Sequence, residues 1–171
     1  MTPEAMATPT VGKKIGSFRV ATTSSPTLTS KDLLGKPYVL YFYPKDDTPG
    51  CTLEGKDFRD RHAELGNLGV RVIGISRDSL ASHTKFQGKY ELPFELASDP
   101  DESLCRQFDV IKDKNMYGKK VRGIERSTFL VDADGVLRRT WRKVKVDGHV
   151  AEVLAAAAEL DTGTAHRRKG R

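Results

Sequence analysis

Cys51 is the residue whose type and position most directly predict covalent chemistry in this chain. It follows a polar loop, residues 45–50, and stands where the sequence changes to a helical pattern. The first turn of a helix has unpaired backbone N–H groups and the positive end of the helix dipole, which together favour a thiolate. A thiolate is the nucleophilic form of cysteine, so the position predicts a reactive residue. The alternative from placement alone is a small buried hydrophobic residue.

A buried strand and a helix are predicted on either side of that loop. Residues 38–43 are all aromatic or aliphatic, as in a strand covered on both faces. Pro44 ends the strand because it removes a hydrogen-bond donor. The dipeptide Pro49-Gly50 favours a turn. Beyond it, the helical spacing predicts one inward-facing stripe, made of Cys51, Gly55, Phe58, His62 and Leu65.

The pattern Pro44-x-x-x-Thr48-x-x-Cys51 resembles the active-site motif of the peroxiredoxins. The longer stretch, residues 41–54, is similar to the bacterioferritin-comigratory (PrxQ) branch of that family, and the similarity continues in residues 98–101, 115–118 and 123–130. The resemblance therefore covers most of residues 11–160. It implies a thiol peroxidase that reduces hydrogen peroxide and organic hydroperoxides through a sulfenic acid at Cys51, in antioxidant defence and redox homeostasis.

The resemblance implies roles for four residues around Cys51. The hydroxyl of Thr48 would accept from and donate to the peroxide and the thiolate. Pro44 would shield the thiolate from water and hold the loop. The guanidinium of Arg126 would point across the sheet to Cys51 and bind both the thiolate and the developing oxyanion. Glu54 would orient that arginine rather than carry a proton.

The choice of arginine rests on the resemblance alone. Arg77 and Arg122 compete with Arg126 when only residue types are considered, and the match of Gly-Ile-x-Arg-Ser-Thr-Phe singles out Arg126. The residues by themselves leave these alternatives open.

Regeneration of Cys51 is where this chain departs from the commoner family patterns. A second cysteine usually lies five residues further on or in the helix after the second strand, but Lys56 occupies the first position and residues 79–90 contain none. Cys105 is the only internal candidate, and its neighbours Leu104 and Phe108 indicate a buried stripe. We therefore expect resolution by an external thiol, namely thioredoxin, glutaredoxin or a small thiol, with a Cys51–Cys105 disulfide as the alternative.

Length and composition favour one domain without a metal, a cofactor or a membrane span. The chain has 171 residues, of which 37% are hydrophobic. No apolar run approaches the ~20 residues of a membrane span, and the N-terminus lacks the pattern of a secretory signal. Two cysteines are too few for a disulfide scaffold. Neither the cysteines nor the scattered histidines have ligand spacing. We expect a cytoplasmic protein, and the family branch implies a monomer.

The net charge of +6 is concentrated at one end of the chain. Residues 162–171 contain four basic side chains and no acid, so the rest of the protein is almost balanced. This distribution argues against a specific nucleic-acid partner and favours a solvated tail, with a weak, salt-sensitive attraction of the tail to polyanions as the alternative. We expect a disordered N-terminus in residues 1–10, the peroxiredoxin-like domain in residues 11–161 and a basic disordered tail in residues 162–171.

Alternation of strands and helices predicts an α/β protein. Strands are expected at residues 70–76 and 94–97, helices at 79–90 and 100–108, a loop at 111–122, a hairpin about Asp134-Gly135 and a last helix that ends before Thr162-Gly163. The resemblance implies that the loop at 111–122 packs near the active site. With the resemblance, this becomes a thioredoxin-like fold with a central mixed sheet, helices on both faces and an N-terminal hairpin extension. A thioredoxin-like reductase is disfavoured since Cys51 has no Cys-x-x-Cys partner. A holdase or nucleic-acid shield would differ by not consuming peroxide.

Overall fold

The structure is a computed structural model that describes residues 8–169, without the side chains of Lys114, Met116 and residues 161–169. Strands and helices alternate through the first two thirds of the chain. Their order is β1 (Arg19–Thr22), β2 (Leu28–Thr29), β3 (Tyr38–Phe42), α1 (Pro49–Asp60), α2 (His62–Asn67), β4 (Arg71–Ser76), α3 (Leu80–Lys89), β5 (Glu95–Ser98), α4 (Ser103–Gln107), β6 (Ile111–Met116), β7 (Lys119–Ile124), β8 (Ser127–Val131), β9 (Leu137–Trp141) and α5 (His149–Lys169).

A seven-stranded mixed sheet with the order β2-β1-β5-β4-β3-β8-β9 forms the centre of the protein. The strands β5, β4 and β3 are parallel, while β1, β8 and β9 run antiparallel to their neighbours. The predicted N-terminal hairpin is β1 and β2, which pair at one edge. The predicted second hairpin is β8 and β9, and β9 is the opposite edge. The α/β fold class and the mixed sheet are therefore confirmed.

The central strand β3 is buried on both faces, as its composition predicts. Successive side chains of a strand point to opposite faces. Val39 and Tyr41 pack in one hydrophobic cluster with residues of α1, α2, α3 and α5. Leu40 and Phe42 pack in a second cluster with residues of α4 and the N-terminal hairpin. Helices therefore cover both faces of the sheet.

The helix α1 is held against the first of these clusters by its predicted inward stripe. Phe58 is fully buried and stacks on Tyr41 with ring centroids 4.5 Å apart. Removing such a buried ring costs about 3–5 kcal/mol. The helical path breaks at Arg61, which separates α1 from α2, yet Leu65 beyond the break is still buried. The packing fixes the orientation of α1 and so the direction in which its first turn faces.

Residues 111–124 form a two-stranded ribbon, so the loop expected at 111–122 is wrong. The strands β6 and β7 pair antiparallel from Ile111–Ile124 to Met116–Lys119. Tyr117 and Gly118 both have positive φ, 54° and 79°, as in the two-residue turns that match the twist of paired strands. Most of β7 is exposed. The ribbon therefore lacks the alternating apolar face by which a sequence indicates a strand.

The two ends of the chain differ in how far the structure describes them. The helix α5 continues to Lys169, past Thr162-Gly163, where the sequence pattern ended it. A single glycine lowers helix stability by only about 1 kcal/mol, and alanine, arginine and lysine around it are good helix formers. The separation of a tail at residue 161 stays a prediction.

The predicted disorder of the N-terminus falls on residues 1–7, which lie outside the described residues, and on Thr8–Thr10. The Thr8 hydroxyl donates to Asp109 at 3.3 Å.

None of the helices within residues 8–169 combines the length and the apolar character needed to cross a membrane.

Candidate active site

Cys51 lies in the first turn of α1, as its place in the sequence predicts. Thr48 is the N-cap residue, Pro49 begins the helix and Cys51 is its third residue. Pro at the first helical position loses no hydrogen bond, because the N–H there is unpaired in any helix. The Cys51 side chain is only 2% exposed. Its sulfur therefore lies in a largely desolvated place, at the end of the helix where the dipole favours negative charge.

Arg126 is brought to Cys51 by the register of two strands. Phe42, the last residue of β3, pairs with Ser127, the first residue of β8. Arg126 therefore stands beside the point where β3 turns into the loop that leads to α1. Its Nη2 donates to Cys51 Sγ over 3.5 Å. The arginine chosen by resemblance is thus the one that contacts the sulfur.

Gly50 allows that approach, and the sequence pattern did not reveal it. A Cβ on Gly50 would lie 3.0 Å from Arg126 Nη2, which is closer than Cβ atoms normally come to other groups. The sequence indicated only a turn at Pro49-Gly50. The need for glycine here comes from a residue on another strand, so no local signal could have indicated it.

Glu54 lies one helical turn after Cys51 and is completely buried. Its Oε1 accepts from Arg126 Nη1 at 2.5 Å, so the guanidinium bridges a carboxylate and a sulfur. Burial raises the pKa of Glu54 to about 7, although Arg126 acts in the opposite direction. Burial by itself lowers the pKa of Arg126, but Glu54 and Cys51 raise it more. The guanidinium is therefore a permanent positive charge beside the sulfur.

The competing arginines lie elsewhere. Arg77 and Arg122 both form ion pairs with Glu102, at 3.0 and 2.6 Å, and Arg106 binds the same carboxylate at 3.1 Å. These contacts attach the base of the β6–β7 ribbon to α4. Among the described residues, the guanidinium that donates to the Cys51 sulfur is that of Arg126.

Thr48 is placed beside Cys51 but bonds to the loop rather than to the sulfur. Its hydroxyl donates to the carbonyl of Lys45 at 2.9 Å, and its carbonyl accepts from the backbone N–H of Thr52 at 2.8 Å. Since the one hydroxyl proton is engaged by Lys45, the oxygen of Thr48 has its lone pairs available for a donor on a ligand. The expected role of Thr48 toward the peroxide and the thiolate stays a prediction.

An open cleft of about 760 Å³ reaches Arg126 from the surface. Pro44 forms part of its wall, and the shielding of the thiolate by Pro44 stays a prediction. The resemblance places residues 111–122 near the active site, and Lys112 and Asp113 of the β6–β7 ribbon line the cleft. The contribution of the segment after β9 had no signal in the sequence. The lining residues are Pro44, Lys112, Asp113, Glu125, Arg126, Lys143 and Val144.

His149, at the start of α5, is a neutral residue near Arg126. Its Nε2 is 2.8 Å from Thr128 Oγ1, and its ring packs edge-on against Trp141 and Phe58. Burial and the charge of Arg126 lower the pKa of His149 to about 4. Its imidazole therefore adds no positive charge near the site at neutral pH.

Cys105 lies on the other side of the sheet from Cys51. It belongs to the cluster that contains Phe42, whereas Cys51 belongs to the cluster that contains Tyr41. Cys105 is fully buried, and its backbone N–H donates to Asp99 at 2.7 Å. Burial and the Asp99 carboxylate raise the pKa of the Cys105 thiol far above its usual range. A disulfide needs Cα atoms within ~7 Å, and here the sheet separates the two cysteines.

A family model and several known proteins match most of this chain. The model of the AhpC/TSA family matches residues 11–140. The chain is 54% identical over 144 residues to a protein of Coxiella burnetii named putative peroxiredoxin bcp, covering 84% of this chain and 95% of that protein. It is 58% identical over 118 residues to peroxiredoxin Bcp of Xanthomonas campestris, covering 69% of this chain and 74% of that protein.

A solved structure extends the comparison to the fold. It is a complex structure of the Xanthomonas campestris bacterioferritin comigratory protein from a study of its alkyl peroxide reduction activity. Its TM-score is 0.80 at 49% identity, with 84% of this chain and 92% of that chain covered. Since the family match extends over the segment that contains Cys51 and Arg126, and the relatives cover most of the chain, the chain belongs to the AhpC/TSA family, in its Bcp (peroxiredoxin Q) branch, and is a thiol peroxidase.

Proposed function

We propose that Cys51 is the nucleophile that reduces the peroxide. The thiolate sulfur attacks one peroxide oxygen, an S–O bond forms and the O–O bond breaks. The sulfur is oxidised by two electrons to a sulfenic acid, and the other oxygen leaves as hydroxide or alkoxide and takes up a proton from solvent. The observation that carries this proposal is the contact between Arg126 Nη2 and Cys51 Sγ at 3.5 Å in the first turn of α1.

Arg126 stabilises the charge that moves during this step. Its fork is held by Glu54 through one terminal nitrogen, which leaves the other directed at the sulfur. Negative charge passes from the sulfur to the departing oxygen, and a fixed guanidinium next to both positions lowers the energy of that arrangement. Glu54 acts through Arg126 and is a positioning residue. Its burial keeps it from acting as a proton carrier to solvent.

Thr48 and Pro44 align and shelter the peroxide. The Thr48 hydroxyl donates to Lys45, so its oxygen acts as an acceptor for the O–H of a hydroperoxide. Pro44 forms the wall of the cleft next to Arg126 and limits the access of water to the thiolate. Both residues hold the oxygens in line with the sulfur, which is the positional part of catalysis.

An external thiol then regenerates Cys51. The thiol displaces water from the sulfenic acid and forms a mixed disulfide, and a second thiol releases the Cys51 thiolate as a new disulfide forms between the two reductant sulfurs. The position of Cys105 on the opposite face of the sheet and its raised pKa support this one-cysteine cycle. Thioredoxin, glutaredoxin and small thiols have the required chemistry.

Hydrogen peroxide and organic hydroperoxides are the proposed substrates. The cleft is open to the surface and its walls contain both Lys112 and Val144, so it accommodates an alkyl group as well as a second oxygen. The enzyme acts as a monomer in the cytoplasm. The contacts of Arg126 with Cys51 and Glu54 form within one chain, and a chain with two cysteines suits a reducing compartment.

Mass spectrometry after one equivalent of peroxide tests this proposal. With dimedone present, we expect the adduct of a sulfenic acid on the Cys51 peptide and an unmodified Cys105 peptide. The Cys51→Ser variant should form no adduct and turn over no peroxide while it keeps its fold. Peroxide turnover by Cys51→Ser, or an adduct on Cys105 alone, would contradict the assignment of Cys51.

A further inference from the structure

Asp46 belongs to the loop that leads to Cys51. Its buried carboxylate lies within hydrogen-bond distance of three other side chains. Its side chain is 4% exposed. Tyr43 donates its hydroxyl to Oδ1 at 2.6 Å, and Ser82 donates to Oδ2 at 2.8 Å. His83 Nδ1 lies 2.7 Å from the same Oδ2. Burial raises the pKa of Tyr43 well above its usual range, so its hydroxyl keeps its proton and acts as a donor.

His83 has an acceptor at each of its two ring nitrogens. The ring is fully buried, with Nδ1 against the Asp46 carboxylate and Nε2 2.9 Å from the carbonyl oxygen of Ala97. A neutral imidazole has a single N–H, and only the imidazolium donates from both nitrogens. Both contacts are therefore hydrogen bonds at the same time only if His83 is an imidazolium or if Asp46 supplies the proton at Nδ1.

This pair connects the loop to the helix α3 and to the ends of two strands. His83 and Ser82 belong to α3, and Ala97 belongs to β5. The backbone N–H of Asp46 donates to Asp78 Oδ2 at 2.9 Å, directly after β4. The Asp46, Asp78 and His83 ligand-type atoms lie within 4.8 Å of one another, and hydrogen bonds between these groups account for their arrangement.

A second attachment of the loop is exposed and serves as a natural comparison. Asp47 binds Lys89 at 2.8 Å and the Tyr90 hydroxyl at 2.6 Å, at the other end of α3. The Lys89 and Asp47 side chains are 58% and 43% exposed. Exposed ion pairs of this kind contribute little to stability. In contrast, a buried charge pair that loses one partner leaves an uncompensated charge in the interior. The loop therefore depends on the buried attachment.

We propose that His83 is a positioning residue for the reaction at Cys51: a buried imidazolium that holds Asp46 and, through it, the loop from Pro44 to Thr48. This inference rests on the proposed role of Cys51 as the nucleophile. The loop carries Thr48 and Pro44, which align and shelter the peroxide, whereas Arg126 reaches the sulfur from the start of β8 and is held by Glu54 of α1. Loss of the attachment should therefore affect peroxide alignment more than the thiolate itself.

The protonation of His83 is measured directly by NMR of protein labelled with 15N in histidine. We expect both ring nitrogens of His83 to give protonated-nitrogen chemical shifts and N–H couplings at neutral pH, with the resonances assigned by their loss in His83→Gln. A single protonated ring nitrogen would overturn the proposal, because the proton would then belong to Asp46 or be absent.

The positioning role is measured by two reactions of the same sulfur. The measured quantity is the ratio of two rate constants of Cys51, the one with hydrogen peroxide divided by the one with iodoacetamide. Both reactions are followed on the Cys51 peptide. His83→Gln and Asp46→Asn should each lower this ratio by about a hundredfold. The double variant should lower it no further, because the two residues act as one unit. Lys89→Gln, the control on the exposed attachment, should change it by less than about twofold.

The outcomes separate this inference from the proposed function. An unchanged ratio in His83→Gln, or an equal fall in Lys89→Gln, would overturn the positioning role. Failure of the parent Cys51 to react with peroxide would instead overturn the assignment of the nucleophile. If His83→Gln does not fold, Ser82→Ala removes one donor to Asp46 and should lower the same ratio by about tenfold, and an unchanged ratio in that variant would count against the proposal.

Discussion

Arg126 Nη2 lies 3.5 Å from Cys51 Sγ, although 75 positions separate the two residues in the chain. The pairing of Phe42 with Ser127 makes this contact, and Glu54 holds the other arm of the guanidinium. The contact joins a cysteine in a helix to an arginine at the start of a strand. Any change that moves either element relative to the other should therefore change the reactivity of Cys51.

Arg126→Lys should lower the rate constant with hydrogen peroxide by about 10²–10³-fold, because an ammonium cannot donate to Cys51 and Glu54 as a planar fork does. Alkylation of Cys51 by iodoacetamide at pH 7 should also slow, since the thiolate loses its donor. Stopped-flow kinetics with excess peroxide measures the first effect. Arg122→Lys is the control, because Arg122 pairs with Glu102, and a comparable loss in that variant would mean that the site is assigned to the wrong arginine.

Gly50→Ala should lower the same rate constant by about tenfold, because the added Cβ would lie 3.0 Å from Arg126 Nη2 and push the guanidinium away from the sulfur. Gly66→Ala, in α2, is the matched control, since a Cβ there meets nothing within 4 Å. It should leave the rate unchanged and stabilise the fold by about 0.5–1 kcal/mol. If Gly50→Ala and Gly66→Ala react with hydrogen peroxide at equal rates, the close approach of Arg126 to Gly50 does not control the rate.

The pH dependence of stability should reveal two buried groups with opposite signs. The pKa of Glu54 rises from 4.5 to about 7 on folding, so the native state binds more protons between these values and stability falls as pH rises. The pKa of His149 falls from 6.5 to about 4, so the native state binds fewer protons and stability falls as pH drops. Each contribution is about 3 kcal/mol, and they offset each other between about pH 4.5 and 6.5.

Glu54→Gln should therefore remove one of the two opposing contributions. The free energy of unfolding, measured in urea from pH 4.5 to 6.5, should rise with pH by about 3 kcal/mol more than in the parent protein. Glu64→Gln is the control, because that side chain is 52% exposed. A slope in Glu54→Gln identical to that of the parent would contradict the raised pKa of Glu54.

Cys105→Ser should leave peroxide turnover unchanged both with a thioredoxin system and with a small-molecule thiol, because the sheet lies between Cys105 and Cys51. Cys105→Ala separates any effect of a buried hydroxyl on stability from an effect on turnover. Turnover lost only with thioredoxin, together with a peroxide-dependent internal disulfide in the parent, would replace the one-cysteine cycle by a Cys51–Cys105 cycle.

The sequence by itself determined the local part of the candidate site. Pro44, Thr48 and Cys51 lie within one short segment, where a strand ends, a loop follows and a helix begins. Short-range preferences decide each of those steps, and they suffice to put a cysteine in the first turn of a helix. The strands of the main sheet were also predictable, since their apolar composition reflects burial on one or both faces.

Tertiary structure decided which distant groups meet that segment. Strand register placed Arg126 beside the loop, and the same contact explains the need for Gly50. The pairing of Asp46 with His83, 37 positions apart, had no local signal either, because neither residue belongs to a periodic pattern. The β6–β7 ribbon was missed since two strands with mostly exposed side chains look like a loop in sequence. Contacts of this kind depend on how strands pair and helices pack, and short-range preferences contain no information about either.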